Sequence, residues 1–158
     1  MPTEPKTKRV KDRIIEVLKM IAEGTDYWVT PADVLARLVP LEEATDFPLY
    51  MVFPSSGGSI EPHTDGAFEM VFNIDITGYV QDEADPGTLV LRCVRDIQLA
   101  LWNDMKSNLT GSLGDGDLCL GIDFREPPET DNGAFSTAGI GYFSQRVECR
   151  VNGTWGEL

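Results

Sequence analysis

From Phe68 to Val80 the chain reads FEMVFNIDITGYV, and its apolar residues keep to one parity. Phe68, Met70, Phe72, Ile74 and Ile76 alternate with Glu69, Asn73, Asp75 and Thr77, and only Val71 and Tyr79 intrude on the polar set. A period of two over this length predicts a strand with one buried face and one wet face. At about 3.3 Å per residue it spans roughly 40 Å, enough for the central rib of a small sheet. Two other stretches have helical spacing. Val10, Ile14, Val17, Leu18 and Ile21 recur at three and four residues before Gly24, which predicts a helix from about Lys8 to Glu23 lying on the rib's buried face. Val90, Val94, Ile97, Leu101 and Met105 form the strongest helical stripe, from about Pro86 to Met105, with Arg92, Arg95, Asp96 and Gln98 largely off it. Asp85 can cap this helix and Pro86 can open it. Trp102 sits beside the stripe, as core rim or as an interface anchor.

The remaining elements are shorter. Thr30-Pro31-Ala32-Asp33 has the chemistry of a helix start and predicts a short helix through Val34, Leu35 and Leu38; the competing reading is a brief strand at Tyr27 to Val29 followed by loop. Phe47 to Pro54 suits a buried strand, and Ser55 to Gly66 (SSGGSIEPHTDG) reads as a flexible loop joining it to the rib in a long hairpin. After a loop at 107–117, Leu118 to Phe124 reads as a strand. REPPETDNG, from Arg125, excludes regular structure by its paired prolines. A last strand is expected from about Ala138 to Val151, with Phe143, Val147, Cys149 and Val151 on one parity and Ile140, Tyr142, Arg146 and Glu148 on the other. The order predicts an α+β fold: a mostly antiparallel sheet of about four strands with two main helices packed on one face. Residues 1–9 are expected to be a flexible arm, 10–151 a single domain, and 152–158 a tail that is loose unless Trp155 docks.

Composition narrows the function classes. With 158 residues and 42% hydrophobic content the chain can bury a core without metal or disulfide help. Cys93, Cys119 and Cys149 are widely spaced in apolar contexts and read as small buried hydrophobes rather than a disulfide framework or zinc site. No apolar run reaches membrane-spanning length and the N-terminus has no signal-peptide core, so the chain is expected to fold in the cytoplasm without membrane contact. A net charge of -13 argues against wrapping nucleic acid, yet suits a surface that DNA slides past.

Convergent chemistry is sparse. The single histidine, His63, stands near Glu61 and Asp65 in a Gly and Pro loop and reads first as solvated. Asp115-Gly116-Asp117 lacks the spacing of a calcium loop. No P-loop, Gly-x-Ser-x-Gly or Gly-x-Gly-x-x-Gly motif is present. A small acidic metal-dependent enzyme using His63, Asp65 and Asp115 is the remote alternative; the main expectation is no enzyme and no cofactor. Lys6, Lys8, Arg9, Lys11 and Arg13 form the only basic cluster, suited either to solubility or to docking on an acidic partner, including an adjacent copy.

Several blocks together carry a family resemblance. The opening amphipathic helix, the Phe-Pro strand at Asp46 to Phe53, the long strand closing in Ile-Thr-Gly-Tyr-Val, the acidic Pro-containing turn and the helix LVLRCVRDIQLALWND resemble the tail terminator and minor tail proteins of long-tailed bacteriophages. The match is best from Val10 to Asp104. It implies a protomer that assembles as a hexameric ring on the tail tube, ends tube growth and faces the head-side connector while DNA passes through an acidic lumen. The implied location is the head-proximal end of the virion tail, assembled in the host cytoplasm; a connector stopper is the alternative. Within this reading the expected interface residues are Lys6, Lys8, Arg9 and Lys11 of the arm, Ser55, Ser56, Gly57 and Gly58 of the hairpin loop, and Trp102 and Trp155.

Overall fold

The computed structural model describes residues 4–131, 139–155 and 157. Along the chain come α1 (Lys6–Lys19), β1 (Asp33–Leu35), β2 (Leu49–Pro62), β3 (Ala67–Gln81), α2 (Pro86–Ser107), β4 (Gly121–Asp123), β5 (Glu129–Asp131) and β6 (Ile140–Thr154). The six strands form one mixed sheet, and the fold is α+β. β3 is central, antiparallel to β2 on one side and to β6 on the other. β1 joins the outer side of β2 in parallel, while β4 and β5 pair with separate stretches of β6.

The parity of β3 decides what covers each face. Ile74, Ile76 and Val80 meet Tyr50 and Val52 of β2 and Phe143, Val147 and Cys149 of β6 in one core. α1 closes this core with Val10, Ile14, Val17 and Leu18, and α2 closes it with Val90, Val94, Ile97 and Leu101. Both helices therefore lie on the same sheet face. The other face is partly covered too: the chain before β2 folds over it, and Val39 packs with Leu49 and Met51 against Phe53 and Tyr79. Thr77, on the parity expected to be wet, is consequently buried.

Two glycines allow strands to come close. Gly58 has a φ of 111° at the irregularity where β2 slips against β3, and a Cβ there would fall inside the Val71 carbonyl. Gly78 stands opposite Phe143, where a Cβ would lie 2.5 Å from the ring's Cζ. That vacancy lets the Phe143 ring meet Tyr50 edge-on at 5.6 Å between centroids.

Asp85 caps α2 as the sequence predicts, its carboxylate accepting from the Thr88 N–H and hydroxyl. Other expectations are corrected. α1 starts at Lys6 and ends at Lys19, so Lys6 to Arg9 belong to a helix rather than an arm, and Ile21 is buried just beyond the helix. Thr30 to Leu38 forms no helix: Asp33 to Leu35 pairs with Leu49 to Met51, and long-range pairing overrides a local capping signal. Ser55 to Pro62 is strand rather than loop, because β3 offers it a ladder as far as Phe68. Glu129 to Asp131 pairs with Tyr142 to Ser144 despite the preceding prolines. The expected strand start at Ala138, the Asn-Gly step at 132–133, the first three residues of the arm and parts of the tail lie outside the described residues.

Asp96, expected off the apolar stripe, is fully buried. Its Oδ2 accepts from the N–H groups of Trp28 (2.7 Å) and Val29 (3.0 Å), and its Oδ1 pairs with Arg95 at 3.1 Å. Arg95 also donates to the Asp26 carbonyl. A carboxylate turned inward thus staples residues 26–29 along α2. Asp96→Ala leaves both N–H groups without their acceptor and is expected to lower unfolding stability by about 2–4 kcal/mol, read by urea denaturation. A loss below about 0.5 kcal/mol would show that water satisfies these groups instead.

Candidate functional site

The expected interface residues fall into three places. Lys6, Lys8, Arg9 and Lys11 occupy the first turns of α1, where they are fixed to different degrees. Lys6 Nζ donates to the Asn152 carbonyl at 2.7 Å, and its backbone N–H donates to the Glu157 carbonyl at 2.8 Å. Lys8 bridges Glu4 and Asp12, whose oxygens lie 3.3 and 2.9 Å away and raise its pKa, the Asp12 hydrogen bond foremost. Lys11 is 4.0 Å from Asp12. Further along, Arg13 grips Asp104 of α2 with Nη2 to Oδ1 at 2.6 Å and Nε to Oδ2 at 3.1 Å, which raises the guanidinium pKa. The basic cluster is thus partly a device that fastens α1 to its surroundings.

Ser55, Ser56, Gly57 and Gly58 lie at the irregularity of β2, with Asn73 Nδ2 donating to the Ser56 carbonyl at 3.3 Å. The fold brings Ser55 of this segment, but not its three neighbours, to a groove that Lys8 and Lys11 also line. This groove, of about 430 Å³ between α1 and the sheet, is lined by Lys8, Lys11, Ser55, Met70, Phe72 and Asn73. Ser55 Oγ is buried there without a hydrogen-bond partner. Beyond Met51, no strand pairs with the outer side of β2 among the described residues, so its backbone groups there form an open edge.

The tryptophans lie elsewhere. Trp102 is 47% exposed on α2, with Lys106 Nζ 4.9 Å from its ring centroid, and shares a shallow groove with Arg95, Leu99 and Phe124. Trp155 does dock: it lies over Phe68 at 5.2 Å between centroids, yet it remains 59% exposed. Sequence spacing missed Trp28, which sits beneath Arg92 at 4.7 Å.

No family model matches the chain, and no curated protein does.

The residues of the metal-enzyme alternative are not assembled. His63 and Asp65 occupy the turn between β2 and β3, where Asp65 Oδ1 accepts from the Ala67 N–H at 3.1 Å. Asp115 lies in the loop after α2 and accepts from the N–H groups of Gly111 and Asp117, which lower its pKa. Among the described residues no three His, Cys, Asp or Glu side chains are placed to hold a metal ion. Nor is any described helix long and apolar enough to cross a membrane.

All three thiols are buried. Burial pushes Cys93, beside the Tyr50 hydroxyl, up to about 11, and raises Cys119 and Cys149 as well. At pH 8 they are expected to be inert to a thiol reagent in the folded protein and all three to react in urea. Because the folded values lie above the ordinary value of 9.0, unfolding releases protons once pH passes it. Stability contributed by Cys93 is therefore complete below pH 9 and is lost as pH rises toward 11, with Cys119 and Cys149 acting in the same direction, which denaturant midpoints across that range would record.

Proposed function

We propose that this protein is a structural virion component, a tail terminator that forms a hexameric ring on the end of a tail tube, stops its growth and presents a joining surface to the head-side connector. The reading rests on the resemblance of the blocks from Val10 to Asp104. The observation that supports it is where those blocks lie. They form α1, β2, β3 and α2, one continuous unit in which, among the described residues, the outer edge of β2 is unpaired beyond Met51. An open strand edge beside a groove flanked by lysines is a surface suited to contact between copies. The charge of -13 suits a lumen through which DNA passes without adhering.

The alternative, a stopper at the head-side connector, shares the ring and differs in what it touches. Light scattering over a concentration series, with negative-stain images of the largest species, is expected to show six-membered rings. Added to growing tail tubes, the protein is expected to cap their ends and hold their length. Rings that ignore tube ends but bind the connector would replace the terminator with the stopper; monomer alone, with no effect on tubes or connector, would overturn both.

A further inference from the structure

Among the described residues the sheet is open on both sides, and its register puts the two openings at one level. On one side the outer edge of β2 is unpaired beyond Met51; on the other, β4 is the last strand. Asp123 of β4 pairs with Glu148 of β6, Glu148 with Asn73 of β3, and Asn73 with Ser55 of β2. Gly121 leads in the same way through Arg150 and Val71 to Ser59. The three residues of β4 thus stand straight across the sheet from the unpaired stretch of β2. Direction agrees as well. β2 and β6 both run against β3, and β4 runs against β6, so β4 runs against β2. Copies related by rotation about an axis along the strands keep these directions, and β4 of one copy then meets the outer edge of β2 of the next antiparallel and without a step. Pro54, which has no N–H, and the irregularity between Ser55 and Gly58 limit that edge to a short partner, and β4 is three residues long.

The helix layer is complementary at the same level. α1 packs over the side of β1 and β2, α2 over the side of β6 and β4. Beside the open edge of β2, the groove of about 430 Å³ has an apolar floor of Pro54, Met70 and Phe72, and both β3 residues are only partly buried. Beside β4, the half-exposed Trp102 shares its shallow groove with Phe124, the residue that follows Asp123. Leu120, which precedes β4, is exposed too. A large indole at one edge and an apolar groove at the other fit each other, and a tryptophan seated in such a groove is the usual anchor of a protein interface. Within one chain the two lie on opposite sides of the sheet, so the indole that fills the groove comes from another copy.

We propose that neighbouring copies join edge to edge: β4 of one copy pairs with the outer edge of β2 of the next, at Ser55 to Ser59, and Trp102 beside it fills the groove between α1 and the sheet. The contact rests on the ring reading above and assigns residues to it. Each copy gives one edge and receives at the other, so the contact is heterologous and carries the sheet around a closed ring.

Crosslinking tests the contact apart from the ring. In the full chain carrying Ser56→Cys and Asp123→Cys, alone and with tail tubes, a short bismaleimide is expected to give a ladder of covalent oligomers that neither single variant gives, since the native thiols are buried. Both positions are exposed, and unchanged melting curves check that each variant folds. Trp102→Ala is expected to reduce the assembled fraction at least about tenfold, and Trp102→Phe to keep most of it. Amide exchange at 56–60 is expected to slow in the assembled wild type and to stay fast in Trp102→Ala. A ladder together with the loss in Trp102→Ala establishes the contact, even if tube ends are not capped, in which case the terminator role fails alone. Wild-type rings with no ladder and normal assembly of Trp102→Ala overturn the contact and leave the ring standing. No ladder, no rings and no capping overturn both.

Discussion

β3 has no free edge. From Phe68 to Tyr79 every residue has a partner on β2 as well as on β6, and the second ladder continues to both ends of the strand. This double pairing fixes the rest. It sets which parity faces the helices, so that Ile74, Ile76 and Val80 define the floor on which α1 and α2 pack. It holds the outer part of β2 as strand, although those residues are exposed and rich in Ser and Gly. A register slip of one residue would turn Asp75 and Thr77 into the core and Ile74 and Ile76 out of it.

The helices are held from the side by charges turned inward. Asp96 and Asp104 are the only acids of α2, and neither reaches solvent freely: the first binds backbone near Trp28, and the second binds Arg13 and the Leu113 N–H. The long helix therefore presents Leu91, Arg92, Arg95, Trp102 and Lys106 outward in a chain whose net charge is strongly negative. The opposite sheet face concentrates carboxylates around Arg146. Such a division of charge between two faces suits head-to-tail association of copies better than binding to a uniform polyanion.

Long periodic segments were legible in the sequence. β3, α2 with its Asp85 cap, and the parity of β6 all follow from side-chain spacing, because each buries one face along many residues. What spacing could not show was structure imposed from a distance. Ser55 to Pro62 alternates no apolar residues and is a strand only because β3 lies beside it; Asp33 to Leu35 carries a helix-start signature that pairing with Leu49 to Met51 overrules. Asp96 was hidden because a polar residue at a core position reads as surface until its backbone partners, far away in sequence, are known. The polar pocket around Arg146, on the sheet face away from the helices, was half visible: Asp75 lies on the parity of β3 read as wet, Arg146 lies on the parity of β6 opposite Phe143 and Val147, and aligning the two strands makes them direct cross-strand neighbours. Glu126, Glu129 and the burial of Thr77 depend on short segments that hydrophobic patterning does not place.

Gly78 and Phe143 share a single volume. The space a methyl group would need at the first position is already filled by the ring of the second, and that ring is the one that meets Tyr50. The two sites, 65 residues apart in the chain, are thus one position in the landscape of tolerated sequences. Bulk cannot be added at 78 while the ring stands at 143, and the Leu49 carbonyl, 2.8 Å from where the methyl would sit, has to shift as well before a side chain is tolerated there.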